Sequence, residues 1–494
     1  MEIVASSLLA FVVILALGVT GPFRGLALFF AMTPFGAAAA FNLPAVGGAS
    51  ILVTDVAAVA MFALVALHRG GVGMIAGSMR IGQPGFWLLL LTVFAIFATL
   101  MFPAVFRGQT EVFSIARKAN ETGIVSVPLR PSTGNLTQLF RMMLGVAIFF
   151  AVATVFRIRP DGKMIVKAIA IATVVNATLG WLDVATYAIG MPQLLEPIRS
   201  ANYAMLYDVR MVGLKRMIGG YPEASSFGYY SLGLFGFWLQ YWFATPKSRM
   251  GTIMLILSGV AVLRSTSSAS YVAFVAFLIT MALIALIANL RGRVNRRGMA
   301  IAAGGLLVAW MMALVLFMAY EFVTPVSNFL DRALFNKLDG QSGMERMGWN
   351  AQAFVNFLET KGMGAGLGSV RASSWLMATL ASLGVIGTAL YAMFIASVMI
   401  APGTQKGTPV QSATIKSLRA ACLALLISAS LTGATPDLGV TFFAFAGLAA
   451  GLARGAILAR AQSGTGRRAQ SHRPTGMRDN PPTHEGLLTS EGPN

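Results

Sequence analysis

About thirteen apolar stretches, each close to the length a bilayer demands, dominate this sequence. A helix must spend about 20 apolar residues to cross the hydrocarbon core. Windows of about 19 residues place candidate spans near 3–19, 24–41, 51–67, 86–106, 138–156, 164–190, 225–244, 251–263, 269–290, 300–322, 374–400, 418–434 and 438–458. The eighth is short and the first two could form a shallower hairpin, so twelve is nearly as good a count. Of the 494 residues 56% are hydrophobic and 11% charged, against roughly 25% charged in soluble domains. An ordinary soluble enzyme is excluded. The expected fold is all-α, a polytopic transmembrane helix bundle over 1–460, followed by a disordered cytoplasmic tail over 461–494 that is rich in Arg, Ser, Thr, Gly and Pro.

Charge gives this bundle a direction. The net charge of +19 comes from 37 Lys and Arg against 18 Asp and Glu, and in a polytopic chain such an excess belongs on cytoplasmic loops rather than on nucleic acid. Basic residues crowd alternate connections: Arg157, Arg159, Lys163 and Lys167; Lys247 and Arg249; Arg291, Arg293, Arg296 and Arg297; Lys406, Lys416 and Arg419; and the tail from Arg454. Outside the tail only Asp161 is an acid in that set, while Glu196, Asp208, Glu223, Asp331, Asp339, Glu345 and Glu359 fall in the opposite one. The C-terminus is therefore expected in the cytoplasm. The N-terminus lacks a basic stretch before its first apolar run, so no cleaved signal peptide is expected. The single cysteine, Cys422, rules out an intrachain disulfide.

Chemistry is expected on the non-cytoplasmic face, where two connections are long, about 191–224 and 323–373, with a further polar segment near 107–137. His68 lies in an expected cytoplasmic loop and His472 and His484 in the tail, so a histidine triad or histidine zinc site in the outer loops is excluded. No G-x-x-x-x-G-K-[ST] loop exists, and the run from Gly362 to Ser369 misses the dinucleotide spacing. No Asp-x-Asp pair stands in an outer loop to carry a divalent cation. No metal or cofactor is implied.

Arginine is what the outer face offers: Arg210, Arg216, Arg264, Arg346 and Arg371. Guanidiniums stay charged and fork onto phosphate oxygens, so several on one pocket could hold a pyrophosphate without metal. The plain alternative is that each is a snorkelling or solvated cation. Glu223 stands in a glycine-containing turn leading directly into an apolar span. Partial desolvation there suits a carboxylate to accept a proton from a sugar hydroxyl. It also suits an acid at a helix start, with Ser225 or Ser226 capping. Residues 344–357 carry Trp349, Ala353, Phe354 and Phe357 at helical spacing, as in an amphipathic helix on a membrane surface. Backbone amides of the following glycines, Gly366 among them, could cradle an anion, or the run is a flexible joint. Trp349, Trp375 and Tyr221 could stack on sugars or anchor at the interface. Asp55 and Asp183, in or near spans, rank below Glu223.

Three pieces of sequence carry a family likeness: R-M-I-G-G-Y-P-E-A-S-S-F-G from Arg216 to Gly228, R-S-T-S-S-A-S from Arg264, and R-M-G-W-N-A-Q-A-F from Arg346 with the glycine run and L-G-V-I-G-T-A-L-Y after it. Over roughly 200–450 the chain resembles the O-antigen ligase and polymerase family of bacterial envelope glycan assembly. The resemblance implies a GT-C-like glycosyltransferase of the bacterial inner membrane acting on undecaprenyl-pyrophosphate-linked oligosaccharide at the periplasmic face. Membrane lipid, and as a candidate a chain-length regulator, would be its partners. Glu223, Arg216, Arg264 and Arg346 would be catalytic, and Arg210, Arg371, Tyr221, Trp349 and Gly366 would bind substrate. Family members often have Pro where this chain has Ala224, and ligases characteristically use a histidine in the large outer loop, which is missing here. That absence favours a polymerase over a ligase acting on lipid A core or protein. A flippase or transporter is the alternative of another class, but such proteins place charged sites near the midplane between repeated halves.

Overall fold

The computed structural model describes residues 1–44, 48–115, 124–203, 205–206, 208–211, 214–290, 311, 314, 318, 320–322, 341–403 and 407–471. Most of the expected span at 300–322, Asp331 and Asp339, the arginines 291–297, Lys406 and the tail from 472, with both its histidines, lie outside the described residues.

The chain is mostly helical. In order the helices are α1 Ser6–Arg24, α2 Leu26–Met32, α3 Val53–Ala66, α4 Gly71–Ala76, α5 Pro84–Val105, α6 Thr133–Ile158, α7 Gly162–Ala188, α8 Ala224–Ala244, α9 Arg249–Arg264, α10 Ser268–Leu290, α11 Gln341–Glu359, α12 Trp375–Ile400, α13 Pro409–Thr432 and α14 Gly439–Ser471. Three two-stranded antiparallel hairpins qualify the all-α expectation: β1 Ala39–Leu43 with β2 Ala49–Leu52, β3 Glu111–Ile115 with β4 Ile124–Pro128, and β5 Arg210–Met211 with β6 Leu214–Lys215. Helix α14 runs past the expected domain boundary at 460 to Ser471.

Among the described residues, 8 helices are long and apolar enough to cross a membrane, namely α1, α5, α6, α7, α10, α12, α13 and α14. By that measure the chain is a multi-pass membrane protein, with fewer such helices than the twelve or thirteen expected. Three of the missing spans are helices in the expected places: α3 has 14 residues and α9 has 16, both short, and α8 spends its 21 on glycine, serine and aromatics. The second is a true misreading. Helix α2 stops after 7 residues, about 10 Å of rise, and the chain then turns through Thr33-Pro34-Phe35-Gly36 into β1. That turn is buried against the segment before α8: Ala37 N donates to Gly220 O at 2.8 Å, and a Cβ on Gly36 would strike the Tyr221 ring.

Helix α8 is central, with Phe227, Leu232, Leu234, Phe237 and Trp238 all buried, and packs between α9 and α13. Helix α14 lies tightly on α6 because Gly447, Gly451 and Gly455 recur every four residues on one face. A Cβ at those positions would come within 2.5, 2.5 and 2.7 Å of the Phe149, Ala153 and Phe156 carbonyl oxygens.

Connections sort into the two groups that the charges defined. At the basic end Arg157 Nη2 donates to Met74 O at 2.5 Å, Gln411 Nε2 to Pro160 O at 2.5 Å, and Arg419 to Ala401 O. At the other end Asn202 N donates to Ser50 Oγ at 2.8 Å, Asn135 Nδ2 to Leu367 O at 2.7 Å, Ser373 N to Asn350 Oδ1 at 2.7 Å, and Trp375 Nε1 to Pro436 O at 3.0 Å. All three hairpins and α11 belong to this second end.

Candidate functional site

The last turns of α7 carry Asp183, whose side chain is 1% exposed. An isolated carboxylate so deep would be costly, and the segment before α8 folds onto it. Arg199 Nη2 stands 2.6 Å from Oδ1, Lys215 Nζ 2.8 Å from Oδ2, and Ile218 N donates to Oδ2 at 2.9 Å. Arg199 also donates to Gly219 O through Nε at 3.1 Å and Nη2 at 2.6 Å. Burial pulls the Lys215 ammonium below its ordinary value while Asp183 holds it up. One carboxylate thus pins the segment from Arg199 to Gly219. The end of α9 joins it, Arg264 Nη1 donating to Lys215 O at 2.8 Å.

Arg216 lies between the pinned residues Lys215 and Ile218. It is half-buried, and its Nε is sequestered with no hydrogen-bond partner. Burial draws its guanidinium below the usual value, Glu223 and Tyr271 oppose that, and the positive charge of Arg346 on α11 reinforces it. Glu223 is the N-cap of α8 in extended backbone. Its Oε1 accepts from Ser225 Oγ and, at 3.4 Å, from Ser226 Oγ, while its carbonyl accepts Phe227 N at 3.2 Å. The serine-rich stretch after Arg264 seats on the first turns of α8, since a Cβ on Gly228 would strike Ser270 in the first turn of α10 and come within 3.1 Å of Ser265 Oγ. The three sequence pieces are therefore linked: the stretch after Arg264 touches the first turns of α8 at Gly228, and the guanidinium of Arg216 lies within electrostatic reach of both Glu223 and Arg346.

Other expected site residues fall elsewhere. Arg210 is exposed and stacks over Tyr187 at 5.4 Å, donating to its hydroxyl at 2.8 and 3.1 Å, which is the solvated alternative. Arg371 is exposed over the Trp349 ring at 5.7 Å, and Trp349 also meets Phe113 edge-on. Tyr221 is corrected from sugar platform to core: it is buried, its hydroxyl donates to Thr33 O at 3.0 Å, and its ring packs on Phe227 and Tyr230. Trp375 is likewise buried, against Tyr391. Gly366 is no anion cradle, because its N–H donates to Ser382 O at 2.9 Å and a Cβ would meet Pro103 at 2.9 Å. Its neighbours are similarly engaged: Ala365 N donates to Ala381 O at 2.8 Å and Val385 N to Gly362 O at 3.0 Å. These bonds are possible because α12 breaks at Gly384, whose φ of 64° leaves the helical range. The amphipathic α11 forms as expected, but its buried face is Ala353 and Asn356, with Phe354 48% exposed. Asn356 Nδ2 donates to Thr110 Oγ1 at 2.6 Å and to Glu111 O at 2.5 Å, fixing α11 on β3.

Sequence reasoning singled out neither Lys215 nor Arg199, and it ranked Asp183 below Glu223. The signal available was an acid in the last turns of a span followed by closely spaced basic residues. It also missed a second group at the same end. Arg141 on α6 donates to Tyr203 Oη at 2.7 Å and acts electrostatically on Asp55 and Asp437. Asp55 accepts Leu52 N at 3.0 Å, and Asp437 accepts Gly439 N at 2.9 Å. Burial raises the Asp437 carboxyl, opposed by the Gly439 N–H and Arg141. On the outer flank an apolar groove of about 380 Å³ runs between α7 and α9, lined by Val174, Thr178, Trp181, Leu182 and Leu257 among others. On α7 it extends to Ala185, past the level of Asp183. Among the described residues no three His, Cys, Asp or Glu side chains gather as a metal site. No protein-family model and no characterised relative matches the chain.

Proposed function

We propose that the protein is a polysaccharide polymerase of the bacterial inner membrane, with GT-C-like architecture, joining undecaprenyl-pyrophosphate-linked repeat units at the periplasmic face. The observation that carries this reading is the buried Nε of Arg216, which lacks a partner on a guanidinium within electrostatic reach of Glu223 at the start of a buried helix. A buried donor left unsatisfied is costly, and a phosphate oxygen would satisfy it. The groove between α7 and α9 offers an apolar bed for a polyprenyl chain along the same turns of α7 that carry the clamp residue Asp183.

Glu223 takes the proton from the acceptor sugar hydroxyl as that oxygen bonds to the anomeric carbon. The bond from the anomeric carbon to the phosphate oxygen breaks, and the lipid pyrophosphate leaves with the electron pair. Arg216, Arg264 and Arg346 neutralise the developing charge, which is transition-state stabilisation by preplaced cations. The phosphate ester supplies the driving force, so neither ATP nor a metal is required.

Glu223→Gln tests the reading. In cells expressing the variant stably, gels of surface glycan should show loss of long chains and retention of single repeats on the final acceptor, with at least a hundredfold lower extension of purified lipid-linked repeats in vitro. Normal long polymer would remove Glu223 from the chemistry. Long glycan stranded on the lipid carrier would instead identify a ligase. Repeat units trapped on the cytoplasmic side would identify a flippase.

A further inference from the structure

We infer that the basic end of the bundle contains a phosphate-binding site for the headgroup of an anionic phospholipid, built from Arg157 and Arg454, with the charge of Arg80 in reach of Arg157. It lies at the end opposite Glu223 and is independent of the proposed reaction. Arg157 is in the last turn of α6, Arg454 is on α14, and both line one crevice together with Ser78, Gln83 and Gly85. The glycine contacts between α14 and α6 bring the two helices, and so the two guanidiniums, this close. The charges acting on Arg157 are those of Arg80 and Arg454, all of one sign. The nearby acid in sequence, Asp161, is engaged elsewhere, accepting Lys163 N at 2.8 Å and Met164 N at 3.2 Å.

Like charges drawn together repel until an anion settles among them. The Arg157 guanidinium is held for that purpose by two independent contacts. Its Nη2 donates to Met74 O at 2.5 Å, and it sits against Gly77, where a Cβ would come within 2.7 Å of Nη1. The crevice itself has a volume of about 10 Å³, room for one water-sized atom. It therefore takes an oxygen of a headgroup and not a hydrocarbon chain. The positive end of α5, which begins at Pro84 beside Gln83, adds to the attraction. Phe149 and Ala450 line the inner wall. The site thus stands where three span-length helices meet the interfacial level, the depth at which phospholipid phosphates lie and at which basic pockets between helices bind them.

The test uses the full-length protein, purified in detergent and stripped of lipid. Phosphatidylglycerol should raise its thermal midpoint, and phosphatidylcholine should not. Arg454→Gln, which leaves the Arg157–Met74 bond intact, should need about tenfold more phosphatidylglycerol for the same rise, as expected for one lost charge-assisted bond. Arg157→Gln combined with Arg454→Gln should abolish the rise. Should the double variant fail to fold, Arg454→Glu, which reverses the charge at a position outside the Met74 contact, takes its place. An equal rise with inorganic phosphate alone would keep the phosphate site and overturn the lipid as its source. An undiminished phosphatidylglycerol effect in Arg454→Gln and Arg454→Glu would overturn the site.

Discussion

Asp183 bears two ion pairs and a backbone bond while nearly excluded from solvent. Breaking a buried pair by removing one member leaves uncompensated charge and costs about 3–5 kcal/mol. Asp183→Asn should therefore lower the thermal midpoint of the purified protein markedly and reduce glycan extension, although Glu223 and Arg216 are untouched. Adding Lys215→Met should recover part of the lost stability, because the second unpaired ion goes with it, whereas extension should stay low with the segment around Arg216 still loosened. Equal midpoints for Asp183→Asn and the unaltered protein would show that the clamp carries no stability. At this scale the sequence was legible for Glu223, because Pro-Glu-Ala-Ser-Ser announces a helix start. It was misleading for Tyr221, Trp375 and Gly366, because an aromatic or a glycine beside a span looks the same whether it lines a site or fills the core. Only the approach of Thr33, Pro436 or Ser382 decides between them, and those partners are distant in the chain.

Elements were located by apolar length, and the helices α5, α6, α7, α8, α9, α10, α12, α13 and α14 begin within ten residues of the stretches that signalled them. The stretch at 24–41 failed because hydropathy weighs residues without regard to backbone: Thr-Pro-Phe-Gly is a turn signal inside an apolar run, and burial of that turn against Gly220 lets it remain apolar. Close helix approach has a sharper sequence signature. Gly451 faces the Ala153 carbonyl at a distance no Cβ tolerates, so Gly451→Ala should force α14 away from α6 and destabilise the fold by about 1–3 kcal/mol. Gly18→Ala in α1, where a Cβ meets nothing within 4 Å, should be neutral or slightly stabilising. A thermal denaturation series on the two variants checks both, and similar midpoints would mean that the α6–α14 contact yields without cost.

The described connections meet at two ends of the bundle, one of them holding the loops expected to be poor in acids, and each is drawn together by bonds such as Arg157–Met74 on one side and Arg264–Lys215 on the other. What alternation could not foresee is which loops touch, since that depends on how α8 is enclosed. The orientation proposed above predicts a labelling pattern. On a Cys422→Ala background, a membrane-impermeant maleimide added to intact cells should modify Glu359→Cys and spare His68→Cys, both exposed positions, and permeabilised cells should show both labelled. The inverse pattern would place Glu223 in the cytoplasm and end the periplasmic reading. The interlock at Gly384 has its own consequence. Three peptide groups where α12 is interrupted, Ala381 O, Ser382 O and Val385 N, are met by Ala365 N, Gly366 N and Gly362 O, so neither strip of chain can be lengthened or shortened by itself. A single inserted residue in either would leave these three donors facing the wrong acceptors, and a compensating insertion in the other is the change that could restore the register.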